Sequence, residues 1–125
     1  MQRFFDEKQR IRWGIAQKQD NSIIGHCGFF DIDRSNCCAE ISYCLKKELW
    51  GQGIMTEAVR LICEIAFAEL DILRITGLVY APNVASQRVL EKNGFVKEGI
   101  QRNAVCKDGE VYDLCLYGKL KQAGF

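Results

Sequence analysis

A chain of 125 residues has room for one compact domain and not for two, and its 48% apolar and 26% charged residues are those of a soluble globular protein. The net charge of +1 is too small to point to a nucleic-acid or membrane-surface partner. No apolar run approaches the roughly 20 residues that cross a bilayer, and the opening MQRFFDEKQR lacks the apolar core of a signal peptide, so the cytoplasm is the expected compartment.

Residues 11–19 read as a strand, with Gln19-Asp20-Asn21-Ser22 as its turn, and 23–32 as the next strand. Residues 38–46 form a third, with Ala39, Ile41, Tyr43 and Leu45 on one face and Glu40, Ser42, Cys44 and Lys46 on the other. Met55, Val59, Ile62, Ala66 and Leu70 recur at spacings of three and four, the mark of one buried helical face, which Ala58 and Ile65 widen. Residues 72–80 read as a strand. Pro82 breaks the chain, and Asn83 is a good N-cap for a helix running to about Asn93, stopped by Gly94. Strands at 100–106 and 111–116 flank Lys107-Asp108-Gly109-Glu110, where Asp-Gly signals a hairpin. This order predicts an α/β or α+β fold: a mixed, mostly antiparallel central sheet with helices on both faces.

The seven cysteines, at 27, 37, 38, 44, 63, 106 and 115, are an odd count that suits a closed set of disulfides poorly. There is no CxxC pair, and the lone His26 beside Cys27 has no second ligand pair nearby, so no metal is expected. The expectation is reduced, mostly buried thiols.

Three segments carry candidate chemistry. In LWGQGIMTEA, residues 49–58, Gly51 and Gly53 stand between a strand and a helix. Glycines let the backbone approach a ligand closely there, and the helix start offers unpaired N–H groups suited to phosphate; the same glycines also serve simply to end a loop. In PNVASQRVLEKNGF, residues 82–95, Asn83 and Ser86 are polar candidates that, taken alone, read more simply as an N-cap and a solvated first-turn residue. In AEISYCL, residues 39–45, Glu40 is a carboxylate within a strand: either a structural ion-pair partner or a general base in a partly desolvated cleft.

Taken in order, these segments resemble the GNAT superfamily of N-acetyltransferases. AEISYCL is similar to its fourth strand, ELWGQGIMTEAV to its pyrophosphate loop and NVASQRVLEKNGF to the motif after its fifth strand. GFVKEGIQRNAVCKDGEVYDLCLYGKL is similar to the closing hairpin of the RimJ/RimL-like branch. The resemblance covers about residues 11–120 and implies one acetyltransferase domain over 1–125, with acetyl-CoA as co-substrate and a primary amine as acceptor. A protein N-terminal amine, as on a ribosomal protein, is the leading acceptor. Small amines (a polyamine, an amino acid or an antibiotic) and a coenzyme A-binding module without turnover are the alternatives.

Residue by residue, the resemblance implies Glu40 as base, acting directly or through a water. Backbone of Tyr43, Cys44 and Leu45 would lie along the pantetheine arm where two strands splay, and an N–H near Cys44 would polarise the thioester carbonyl. Backbone N–H groups of Gly51, Gln52, Gly53, Ile54, Met55 and Thr56 would hold the pyrophosphate, and Asn83 the pantetheine. Three departures stand out. Glu48 occupies the place of a usual Gln or Arg. Leu90 occupies the place of a Tyr that protonates the departing thiolate in many members, which leaves Ser86 as the donor to sulfur. The family has a first strand and an additional helix ahead of the strand at 11–19, and here residues 1–10 leave room only for the end of a helix, so that strand is expected to be an open edge carrying Trp13 and Ile15, and the chain to self-associate or to be a fragment. Cys44 as a nucleophile lacks a histidine in a recognisable pairing motif.

Overall fold

Alternation of apolar and polar residues over the first third of the chain builds three consecutive antiparallel strands. In the computed structural model, which describes residues 8–122, these are β1 (Lys8–Ala16), β2 (Ile23–Asp33) and β3 (Cys38–Leu45). A 3₁₀ turn at Lys47–Leu49 leads into helix α1 (Ile54–Glu69). Strand β4 (Arg74–Tyr80), helix α2 (Val84–Lys92) and the hairpin of β5 (Val96–Lys107) and β6 (Glu110–Leu120) follow. The strands form one sheet in the order β1-β2-β3-β4-β6-β5; β3 and β4 run parallel and every other pair antiparallel, as expected.

Register fixes which side chains share a face. Ile11 and Trp13 of β1 stand opposite Phe29 and Cys27 of β2, which stand opposite Ile41 and Tyr43 of β3. On this face α1 buries Met55, Val59, Ile62, Cys63 and Ala66, and α2 buries Leu90 over Gly77 of β4. The Asn93 amide ties the helices together, donating to Thr56 O at 3.1 Å and Val89 O at 2.9 Å. Both helices therefore cover one face, and among the described residues none lies on the other, which corrects the expectation of helices on both. The cause is connection handedness. The β3–α1–β4 and β4–α2–β5 crossovers advance the same way along the sheet, and right-handed crossovers advancing one way put their helices on one side. Burying a side chain such as Phe29, Ile75 or Leu90 stabilises this layer by about 1.5–3 kcal/mol each.

Other expectations shift at the element ends. β1 begins at Lys8 and stops at Ala16, so residues 8–10 are strand and not helix; residues 1–7 of that expected helix lie outside the described residues. The turn starts at Gln17, whose N–H donates to Ser22 O at 2.9 Å, with Asn21 in the left-handed region at φ 58°. The predicted hairpin turn is present, with Asp108 at φ 52° and Gly109 at φ 79°, the signs a type I′ turn demands. β1 is an edge strand, but Trp13 and Ile15 do not stand bare on it: both pack against the core, and Trp13 meets Phe29 edge-on with ring centroids 6.3 Å apart. All seven cysteines are free; Cys27, Cys63 and Cys115 are buried, fewer than expected, while Cys44 and Cys106 are exposed.

Candidate active site

The parallel pairing of β3 with β4 lasts only from Cys38↔Arg74 to Glu40↔Thr76. Beyond it the strands splay, as expected, and leave a cleft of about 290 Å³ lined by Glu40, Ser42 and Tyr43 on one side and Leu78, Tyr80, Asn83 and Ser86 on the other. Because the gap lies within the sheet, side chains of both faces reach it. Glu40 enters from the open face and Tyr43 from the helix-covered face, as their alternation on β3 requires.

Glu40 is half-buried, opposite Phe30 in register. Burial, and secondarily the charge of Asp31, push its carboxyl above the ordinary carboxylate range. No basic side chain pairs with it among the described residues, and a carboxyl raised in this way accepts a proton nearer neutrality than a free one does.

Ser86 lies in the first turn of α2. Its N–H donates to Asn83 Oδ1 at 3.0 Å, so Asn83 is an N-cap as well as a cleft residue. The Ser86 Oγ meets the Tyr43 hydroxyl at 2.7 Å, and Tyr43 also reaches Ser86 O at 3.2 Å. Burial pushes the Tyr43 phenol above the usual tyrosine range. Gly77 makes this wall close-fitting, since a β-carbon there stands 2.8 Å from Leu90 Cδ1. Tyr117, fully buried on β6, anchors α2 from beneath through Gln87 and Glu91, at 2.9 and 2.8 Å.

Beside the end of β3 the glycine loop leads into α1. Gly51 and Gly53 sit at φ 79° and 81°, a region open to glycine, and nothing lies within 4 Å of where either β-carbon would stand. Gly53 is the N-cap and supplies no side-chain acceptor. Glu57 N donates back to Gly53 O at 3.1 Å, and the amides of residues 51–56 have no backbone partner among the described residues. The Trp50 indole donates to Leu45 O at 2.9 Å and ties this loop to the strand end. Leu45 therefore offers less free backbone than Tyr43 or Cys44.

The structure brings Glu40, Tyr43, Asn83 and Ser86 together on one cleft. Gly51 to Thr56 stand apart from its lining, on the loop and first turn that follow β3. Two contacts escaped the sequence reading. The Tyr43–Ser86 pair joins residues 43 positions apart. His26 stands directly opposite Cys44 in the β2–β3 register, with its Nδ1 buried and unpartnered, so an imidazole neighbours that thiol after all. The register of a β2–β3 hairpin with its turn at residues 34–37 was the signal available for the second; nothing local signalled the first.

Residues 1–96 match the acetyltransferase (GNAT) domain family. The chain is 44% identical over 105 residues to the probable N-acetyltransferase YjcK of Bacillus subtilis, covering 83% of this chain and 58% of the relative. It is 35% identical over 117 residues to the uncharacterized N-acetyltransferase YoaA of the same organism, covering 94% and 66%. It thus spans less than two thirds of the length of either. Among solved structures, the ribosomal-protein-S5-alanine acetyltransferase of Vibrio fischeri superposes with a TM-score of 0.86 at 28% identity, over 91% of this chain and 63% of that one. The glycine loop before α1, the splayed parallel pair and the sheet order accord with that match, and the chain belongs to the GNAT acetyltransferase domain family.

Proposed function

We propose that this chain, acting as a single domain over 1–125, transfers the acetyl group of acetyl-CoA directly to a primary amine, with a protein N-terminal amine as acceptor. The observation that carries the reading is the splay of β3 from β4 at Glu40, which opens a cleft with a carboxylate on one face and a hydroxyl pair on the other. A protonated amine has no lone pair for attack. Glu40, its carboxyl raised by burial, takes that proton directly or through a water. The unpartnered amides of residues 51–56 hold the pyrophosphate, and the bare β3 edge at Tyr43 and Cys44, with a smaller share from Leu45, pairs with the pantetheine arm as an added strand would. Asn83 holds the arm from the other side, an N–H near Cys44 polarises the thioester carbonyl, and Ser86 donates a hydrogen bond to the departing sulfur. The N-terminal acceptor rests on the likeness to the ribosomal-protein-S5-alanine acetyltransferase. The reading extends to a second copy lying along β1, whose outer side has no strand partner among the described residues.

Isotope-labelled acetyl transfer against peptides with free N-termini, beside polyamines and amino acids, tests this. Label on the peptide α-amine is expected. Label confined to small amines reassigns the acceptor, and bound coenzyme without transfer to any amine makes the chain a coenzyme-binding module. Light scattering on the same sample is expected to give a mass above that of one chain; a monomer ends the self-association reading.

A further inference from the structure

The Tyr43 hydroxyl has no part in the chemistry above, yet it is the only side-chain partner of the Ser86 hydroxyl among the described residues. Each hydroxyl carries one hydrogen. In one arrangement Ser86 donates to Tyr43, and Tyr43 donates to Ser86 O at 3.2 Å; that carbonyl already lies four residues before Leu90, whose amide it accepts in an α-helix. In the other, Tyr43 donates to Ser86 Oγ at 2.7 Å, and the serine hydrogen has no protein acceptor and is left for the cleft. A negative charge in the cleft selects the second arrangement, because only there does a hydrogen face it.

We propose that Tyr43 is the positioning residue for Ser86: by donating to its Oγ, it commits the serine hydrogen to the coenzyme sulfur. This rests on the reading of Ser86 as donor to that sulfur. When the C–S bond breaks, its electron pair stays on sulfur and the Ser86 hydrogen bond stabilises the thiolate. The thiolate regains a proton from solvent in exchange for the one Glu40 releases, and neither hydroxyl is spent. Burial raises the phenol above the usual tyrosine range, so Tyr43 is a donor at neutral pH.

The test is calorimetric titration of the chain with coenzyme A and with desulfo-coenzyme A, which lacks the sulfur, from neutral to alkaline pH. As the thiol ionises, wild type is expected to gain roughly tenfold in preference for coenzyme A, the scale of one charge-assisted hydrogen bond. Ser86→Ala should abolish that gain. Tyr43→Phe, which keeps the ring, should reduce it to nearly the same level, and the double variant should lose nothing more. Affinity for desulfo-coenzyme A should stay at the wild-type value in all three. A full gain in Tyr43→Phe with none in Ser86→Ala overturns the role of Tyr43 and leaves that of Ser86 standing. A full gain in Ser86→Ala overturns both. Loss of desulfo-coenzyme A affinity in Tyr43→Phe makes the residue a wall of the cleft and also overturns the proposal.

Discussion

The two faces of the sheet divide the work. The helix-covered face carries Cys27, Phe29, Ile41, Ile75 and Cys115, all nearly inaccessible, and the helices α1 and α2 that bury them. The other face carries Glu40, Ser42, Cys44 and Leu78, at the alternate positions of β3 and β4; it is half-open, and Leu78 is 39% exposed. Strand period makes this possible at no cost in chain length, since consecutive residues such as Glu40 and Ile41 serve opposite layers. Packing on one face fixes the strand, and the strand holds a half-buried carboxylate in place on the other.

Four substitutions test this division. The largest effect is expected on the open face: Glu40→Gln should lower turnover by roughly 10²–10⁴-fold, the range for loss of a general base, with coenzyme affinity and thermal midpoint little changed. Full activity across pH in steady-state assays means another group or bulk water takes the proton. On the covered face Phe29→Ala should act in the opposite currency, lowering unfolding free energy in urea by about 3–5 kcal/mol, because it empties the site against Trp13. A loss well under 1 kcal/mol shows that Phe29 packs less tightly than its burial indicates.

On the loop before α1, Gly53→Val should weaken coenzyme binding at least tenfold by calorimetry. Its side chain enters the space in front of the loop amides, and the left-handed backbone adds a folding cost of about 1–2 kcal/mol. Wild-type affinity in a folded variant dismisses the phosphate loop. The smallest effect follows from charge. Asp31 contributes to the raised carboxyl of Glu40, so Asp31→Asn lowers it and should move the acid limb of kcat/KM to lower pH. Asn also accepts the left-handed φ of 51° at this position, so the backbone should hold. An unmoved limb means a different group sets it.

The sequence revealed what a side-chain pattern can carry. The alternation along β3, the buried stripe of α1 and the Asn83 cap with its Gly94 stop are local, and each matches the structure. Strand ends with no buried side chain to mark them escaped: Gln9 and Arg10, Val96 to Gly99 and Lys119 to Leu120 join the sheet through backbone, which any residue type supplies. The sharing of one face by both helices was accessible from crossover handedness once the strand order was known, but the order itself is non-local. Within the site, Glu40 and the glycine loop stood out by type and spacing. The bond between Tyr43 and Ser86 depends on how closely α2 settles on β4 over Gly77, which no window of sequence contains.

The short pairing of β3 with β4 also sets a clock. Past Glu40 and Thr76 the facing edges of both strands lack ladder hydrogen bonds to each other, although they lie in the middle of a six-stranded sheet. Amides on those edges need no unfolding to meet water, so in hydrogen exchange they should deuterate on the timescale of surface loops, while the amides of β2 and β6, flanked on both sides, wait for global opening. A molecule that lay along the gap as a strand would close it, and its arrival would be legible as a patch of slowed exchange in the centre of the sheet.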